Sequence, residues 1–221
     1  MRLFKRNKEV VRGWKDVTLS QLQEIEALPK YDNELDMMLN YVSILLDKDS
    51  DEIENMHVSD ILLEFERWRF LSTKPKEKHQ PIITLNGVRY GAVVLNELTL
   101  GQIADIEAYI TEGLIENLHK VFSVLYLPIK SYNPITKKVV LEEYEPDKDR
   151  QNAFLYATMD ILYPQMLFFY HIVKDYLQGI LLYSEEEMKK MKDTEMMEKM
   201  MKMIYQLEEL LKVEKQMKQK E

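Results

Sequence analysis

The side chains that most often do chemistry are present in this sequence but are not grouped. His57, His79, His119 and His171 are scattered, and no two stand four apart, so no helix turn offers a zinc ion two imidazoles. The chain has no cysteine, which removes thiolate nucleophiles, thiolate metal sites and disulfides. It contains no Walker loop, no GxGxxG and no nucleophile elbow, and its 6 glycines are too dispersed to cradle a phosphate. Carboxylates are abundant, yet none has a spacing that acid–base chemistry would dictate over solvation. The run Asp47-Lys48-Asp49-Ser50-Asp51-Glu52 resembles a calcium loop only at first sight. Glycine at the sixth position and a chelating glutamate at the twelfth are required, and Glu52 and Val58 stand there. That run is expected to be an acidic turn between helices. No catalytic residue, cofactor-binding residue or metal ligand is assigned, and the chain is expected not to be an enzyme.

What recurs instead is a structural phrase. Residues 17–27 read VTLSQLQEIEA and residues 98–108 read LTLGQIADIEA, aligning without a gap at a separation of 81. Farther on, Val42-Ser43-Ile44-Leu45-Leu46 matches Phe122-Ser123-Val124-Leu125-Tyr126 at a separation one residue smaller. Order and spacing together indicate an internal duplication. Thr18 with Gln21, and Thr99 with Gln102, have the Thr-x-x-Gln spacing of a capping box. The hydroxyl accepts from the N3 amide, and the glutamine carbonyl accepts from the cap amide. Val17 with Leu22, and Leu98 with Ile103, are placed to form hydrophobic staples. Glu24, Glu26, Asp105 and Glu107 are read as early helical acids favoured by the macrodipole.

The elements around these caps follow from local chemistry. Asn86-Gly87 between two β-prone runs predicts a type I′ hairpin over 82–94, and Asn7-Lys8 marks a counterpart turn in the first copy. Each unit then reads as a hairpin, a short capped helix and a longer helix. In copy one, Pro29 ends the short helix and Asn33 to Leu46 supplies the long one. In copy two, Gly113 marks a break and Leu114 to Leu127 continues until Pro128. Ser59 is expected to cap a helix carrying Ile61, Leu62, Phe65, Trp68 and Leu71. Ser131 to Pro134 reads as a turn, Val139 to Leu141 as a short strand, and Glu142 to Arg150 as an acidic loop. From Gln151 to Tyr183 the chain is apolar on nearly all helical faces, with Pro164 expected to kink or split it.

The last segment has a different composition. Ser184 begins a methionine-rich helical pattern with Met197, Met200, Ile204, Leu207 and Leu211 near heptad spacing. Methionine adapts to irregular partner surfaces, so these five residues are the candidate partner-binding seam. The expected organisation is a first repeat unit over 1–73, a linker over 74–81 and a second unit over 82–150. An apolar helical region packing on the repeats (151–184) and the amphipathic C-terminal helix (185–221) follow. The fold class is mainly α with short β-hairpins (α+β).

Across 221 residues, 46% are hydrophobic and 31% charged, which suits a globular protein with a core. The net charge of −8 disfavours nucleic-acid binding, except through the basic arm formed by Arg2, Lys5, Arg6, Lys8, Arg12 and Lys15. The first residues lack the apolar run of a signal peptide, and the most apolar stretch is too short to span a bilayer. A cytoplasmic location is therefore expected.

The phrase ITLNGVRYGAVVLNELTLGQIADIEAYI, with its weaker companion WKDVTLSQLQEI, resembles a family of tail assembly chaperones and related morphogenesis proteins of tailed bacteriophages. The similarity covers residues 82–127, and 10–46 more loosely. It implies a non-enzymatic protein in the cytoplasm of the infected host that holds a tail or virion component soluble and delivers it to assembly. The family carries over no catalytic residues. The apolar region and the methionine-rich segment lie outside the resemblance, which leaves open a structural virion protein (connector, ring or neck subunit). A regulatory or host-directed binding module using the basic arm is a third reading. Expected partners are a phage structural or tail protein, or a second copy engaged through the C-terminal helix, with no membrane.

Overall fold

The computed structural model describes residues 10–29, 31, 33–73 and 78–182, with the side chains of Leu95 and of 171–182 left out. It is mainly α with one small antiparallel sheet, an α+β arrangement. The N-terminal turn proposed at Asn7-Lys8 and the seam Met197, Met200, Ile204, Leu207 and Leu211 lie outside the described residues.

Helix α1 (Leu19–Glu26) begins at Thr18 and α5 (Leu100–Leu125) at Thr99, each with both halves of a capping box. The bond lengths agree as well. Each threonine N–H donates to the glutamine Oε1 at 3.0 Å, and each glutamine N–H donates to the threonine Oγ1 at 3.3 Å. Helix α2 (Glu34–Leu46) is capped by Asn33 and stops at Asp47, which adopts a left-handed conformation with φ 54°. The acidic run expected to be a plain turn contains a further helix, α3 (Ser50–Glu54), because Asp49 and Glu52 form a third capping box. Helix α4 (Val58–Arg67) starts one residue before Ser59, at a His57 cap that makes no side-chain bond, and continues as a 3-10 turn to Ser72.

The sheet has the order β1-β2-β3-β4 and is antiparallel throughout. Strands β1 (Ile82–Leu85) and β2 (Val88–Ala92) are joined by Asn86 and Gly87, with φ 50° and 82°. Two successive positive φ values are what a type I′ turn needs, and Asn-Gly supplies them at least cost. The expected end of the second long helix is corrected here. Helix α5 stops at Leu125, and Tyr126–Tyr132 forms β3, with Pro128 inside the strand opposite Tyr90. The turn therefore falls later than Ser131, and Val139–Leu141 is β4. Gly91 in β2 permits the closure of this small sheet. A Cβ there would stand 2.6 Å from Leu141 Cδ2.

Two further expectations change. The acidic segment ends in a helix, α6 (Lys148–Leu155), rather than in a loop. Pro164 does not divide the apolar region, because α7 (Met159–Leu182) runs through it. The interruption sits at Tyr156–Thr158. There the main chain bonds across to the start of α1: Leu19 N–H donates to Ala157 O at 3.0 Å and Met159 N–H to Val17 O at 2.8 Å. Backbone groups committed to another segment cannot serve a helical ladder, so this bridge sets the break.

One core joins these elements. Its fully buried members include Val17, Leu19, Val42 and Leu45 from the first unit and Leu114, Leu118 and Val121 from α5. Phe154, Met159, Leu162 and Met166 complete it from α6 and α7. No described helix is long and apolar enough to cross a membrane.

Candidate functional site

The two helices that begin with Thr-x-x-Gln carry the same cap in opposite surroundings. In the first unit Leu19 is 0% exposed, whereas its counterpart Leu100 is 86% exposed. Leu22 is half-buried and its counterpart Ile103 is exposed, so the second staple has an open outer member. The cause is tertiary. Helix α1 rests on the second half of α5 and on the α6–α7 junction. Gln23 makes the contact specific, its Nε2 donating to Ile115 O at 2.6 Å and Glu116 O at 3.1 Å beside His119 Nδ1 at 3.3 Å. The counterpart of Gln23 is Ala104, which lies on the surface.

The reading of the early acids as macrodipole partners does not hold for this geometry. None of them lies in the first turn of α1 or α5, where that field acts. Glu26 is the last residue of α1, and burial raises its carboxyl to about 7. Asp105 instead accepts a hydrogen bond from the Tyr144 hydroxyl at 2.5 Å. Burial, then that bond, pushes the tyrosine upward from its ordinary range. This contact ties the acidic segment after β4 to the first half of α5.

Each described histidine has a separate setting. His57 stands before α4. His119 is driven down to about 4, first by burial and then by Lys120. His79 stacks on Phe168 with ring centres 3.6 Å apart and bonds Gln165 Oε1 through Nδ1. The same oxygen accepts from Gln80 N–H at 3.1 Å and lies 2.9 Å from the Tyr126 hydroxyl, while Gln165 Nε2 donates to Ile161 O. Gln165 is 2% exposed and fully engaged, so it fixes the linker end against α7. The adjoining cleft, about 40 Å³, is walled by Phe122, Leu125 and Phe169. Among the described residues no His, Asp and Glu cluster could hold a metal ion.

Arg150 is the buried cation that sequence reasoning missed. It is 5% exposed, and its Nε donates to Ser123 O at 2.8 Å while Nη2 donates to Glu145 O. Its position in an acidic, loop-like run gave no hint of burial.

Among the described residues, apolar helix surface is open to binding. Helix α4 exposes Val58, Leu62 and Leu63, and the first half of α5 exposes Leu100 and Ile103. Such groups on helix faces suit association. Comparison with known proteins found no matching family model, no matching curated protein and no matching solved structure.

Proposed function

We propose that this chain is a non-enzymatic morphogenesis protein of a tailed bacteriophage, binding a tail or virion component as an assembly chaperone or adaptor. The observation that carries the reading is the apolar helix surface at Val58, Leu62 and Leu63 of α4, together with the family resemblance over residues 82–127. A chaperone must offer such a surface to an aggregation-prone client and release it, which a half-exposed helix face permits more readily than a closed pocket. The sequence seam Met197, Met200, Ile204, Leu207 and Leu211 is a second binding element in this reading, acting in the host cytoplasm.

The test is genetic and then biochemical. A phage without this gene should fail to form complete particles. Purified wild-type particles should lack the chain, and a tail component should stay soluble when co-expressed with it. A Leu62→Asp, Leu63→Asp chain, or one lacking 185–221, should lose that solubilising effect. Normal particle yield without the gene would overturn the reading. The alternative, a connector, ring or neck subunit, is favoured by the unequal exposure of the duplicated faces and requires stoichiometric presence in the particle.

A further inference from the structure

We propose that copies of this chain associate head to tail. The first half of α5 in one copy, through Leu100, Ile103 and Ala104, docks on the first half of α2 in the next, around Leu35 and Leu39. The inference goes beyond the phage reading and does not depend on it.

The argument starts from the contact already made inside the chain. The short helix of the first unit, α1, docks on the long helix of the second, the part of α5 beyond Gly113. Gln23 provides the contact from α1, and Ile115, Glu116 and His119 receive it, while Leu19 on the same helix is buried and bonded to Ala157. Such a contact joins two unlike surfaces, so it is heterologous. Each unit has one surface of each kind, and the described residues pair one of each. Among the described residues, the short helix of unit two and the long helix of unit one keep their surfaces open.

The residue correspondence makes this specific. At the separation of 81, Leu19, Leu22 and Gln23 map onto Leu100, Ile103 and Ala104. At one residue less, Ile115, Glu116 and His119 map onto Leu35, Asp36 and Leu39. Both sets lie at the surface: Leu100 is 86%, Ile103 38% and Leu35 45% exposed, Ala104 and Asp36 are exposed, and Leu39 is half-buried. The changes in side chain also fit. Alanine in place of Gln23 removes the long polar reach, and Leu39 in place of His119 removes its partner, leaving an apolar contact. Repeated in one direction, as inside the chain, this contact of unlike surfaces gives a ring or a filament, whereas a two-fold dimer would make it twice and close. Glu107 and Glu112 border one surface and Glu34 and Asp36 the other, so salt should strengthen association by screening their repulsion.

The absence of cysteine makes the test clean. Chains carrying Ala104→Cys and Asp36→Cys separately are mixed with a short bis-maleimide. Cross-linked heterodimer is expected in large excess over either homodimer. In sedimentation, the wild type should associate beyond a dimer with rising concentration and salt, and a wild type that stops at a dimer would overturn the head-to-tail arrangement. A Leu100→Asp, Ile103→Asp chain and a Leu35→Asp chain should each associate about tenfold or more weakly alone. Mixed, they should form a one-to-one dimer, because each retains the surface the other lacks. Far-ultraviolet circular dichroism and melting should match the wild type, since the altered side chains are exposed. A wild type that stays monomeric at high salt and high concentration, homodimer cross-links in excess, or no pairing of the two variants would each overturn the proposal. A monomeric wild type would leave the client-binding reading of α4 standing.

Discussion

Gln21 and Gln102, 81 positions apart, perform the same two tasks. Each closes a capping box, and each extends its amide to the last turn of the long helix of its own unit. Gln21 Nε2 donates to Ile44 O at 2.8 Å and to Leu45 O at 3.1 Å, and Gln102 Nε2 donates to Val124 O at 3.2 Å. Ile44 and Val124 correspond in the sequence match. A cap satisfies donors at a helix start, but this reach also fixes the angle between two helices. One sequence spacing thus specifies both a helix boundary and a tertiary contact.

Loss of the caps should separate these tasks. Thr18→Ala and Thr99→Ala should each cost about 1 kcal/mol in denaturant unfolding. Gln102→Ala should cost about 2–3 kcal/mol, because this 2% exposed side chain also serves Val124 O. Gln21→Ala should cost less, since Gln21 is only half-buried. Equal losses for Thr99→Ala and Gln102→Ala would mean that the reach contributes nothing.

Gly113 should resist substitution. Its φ of 126° and ψ of 111° are not adopted readily by residues with a Cβ, and they let α5 change direction at mid-length. Gly113→Ala should destabilise by about 1–3 kcal/mol. A helix-favouring gain in melting temperature would show instead that α5 straightens at little cost.

The pH dependence has two opposed parts. Burial raises Glu26 to about 7, so between its unfolded range near 4.5 and 7 the native state holds a proton that the unfolded state has lost. Stability from this group is present below that range and is lost as pH rises through it. His119 is lowered to about 4 from 6.5, so its contribution is present above 6.5 and is lost as pH falls towards 4. The two slopes should largely cancel near pH 5–6. Glu26→Gln should raise the melting temperature at pH 8 and leave it nearly unchanged at pH 4. His119→Gln should flatten the acid limb. A Glu26→Gln gain of equal size at both pH values would contradict the buried-carboxyl account.

Arg150→Met should be among the costliest single changes, at about 2–3 kcal/mol, since it removes charged donors from Ser123 O and Glu145 O. Arg150→Lys should recover only part of the loss, because one ammonium cannot reproduce the guanidinium fork. Chemical denaturation of both variants would check this, and wild-type stability in Arg150→Met would refute it.

Much of the local structure was legible in residue order. Thr-x-x-Gln marked two helix starts, Asn86-Gly87 marked the hairpin, and Gly113 marked the break in α5. These signals act over four residues or fewer, so the chain needs no distant partner to express them. Helix α3, closed by its own Asp49–Glu52 capping box, was a local signal left unread, whereas two other misread places depended on a distant partner. Tyr126–Tyr132 became a strand because β2 and β4 offered it hydrogen bonds. The interruption of the apolar region moved from Pro164 to Tyr156–Thr158 because residues 17–19 take its main-chain bonds.

Residue order alone determined that Leu19 and Leu100 each follow a threonine cap and begin a helix. It could not determine that one is wholly buried and the other almost wholly exposed. A capping box is closed by bonds within a single turn, so equal sequences give equal helix starts. Burial is set by whichever distant surface arrives. The α6–α7 junction arrives at Leu19, whereas none of the described residues brings such cover to Leu100.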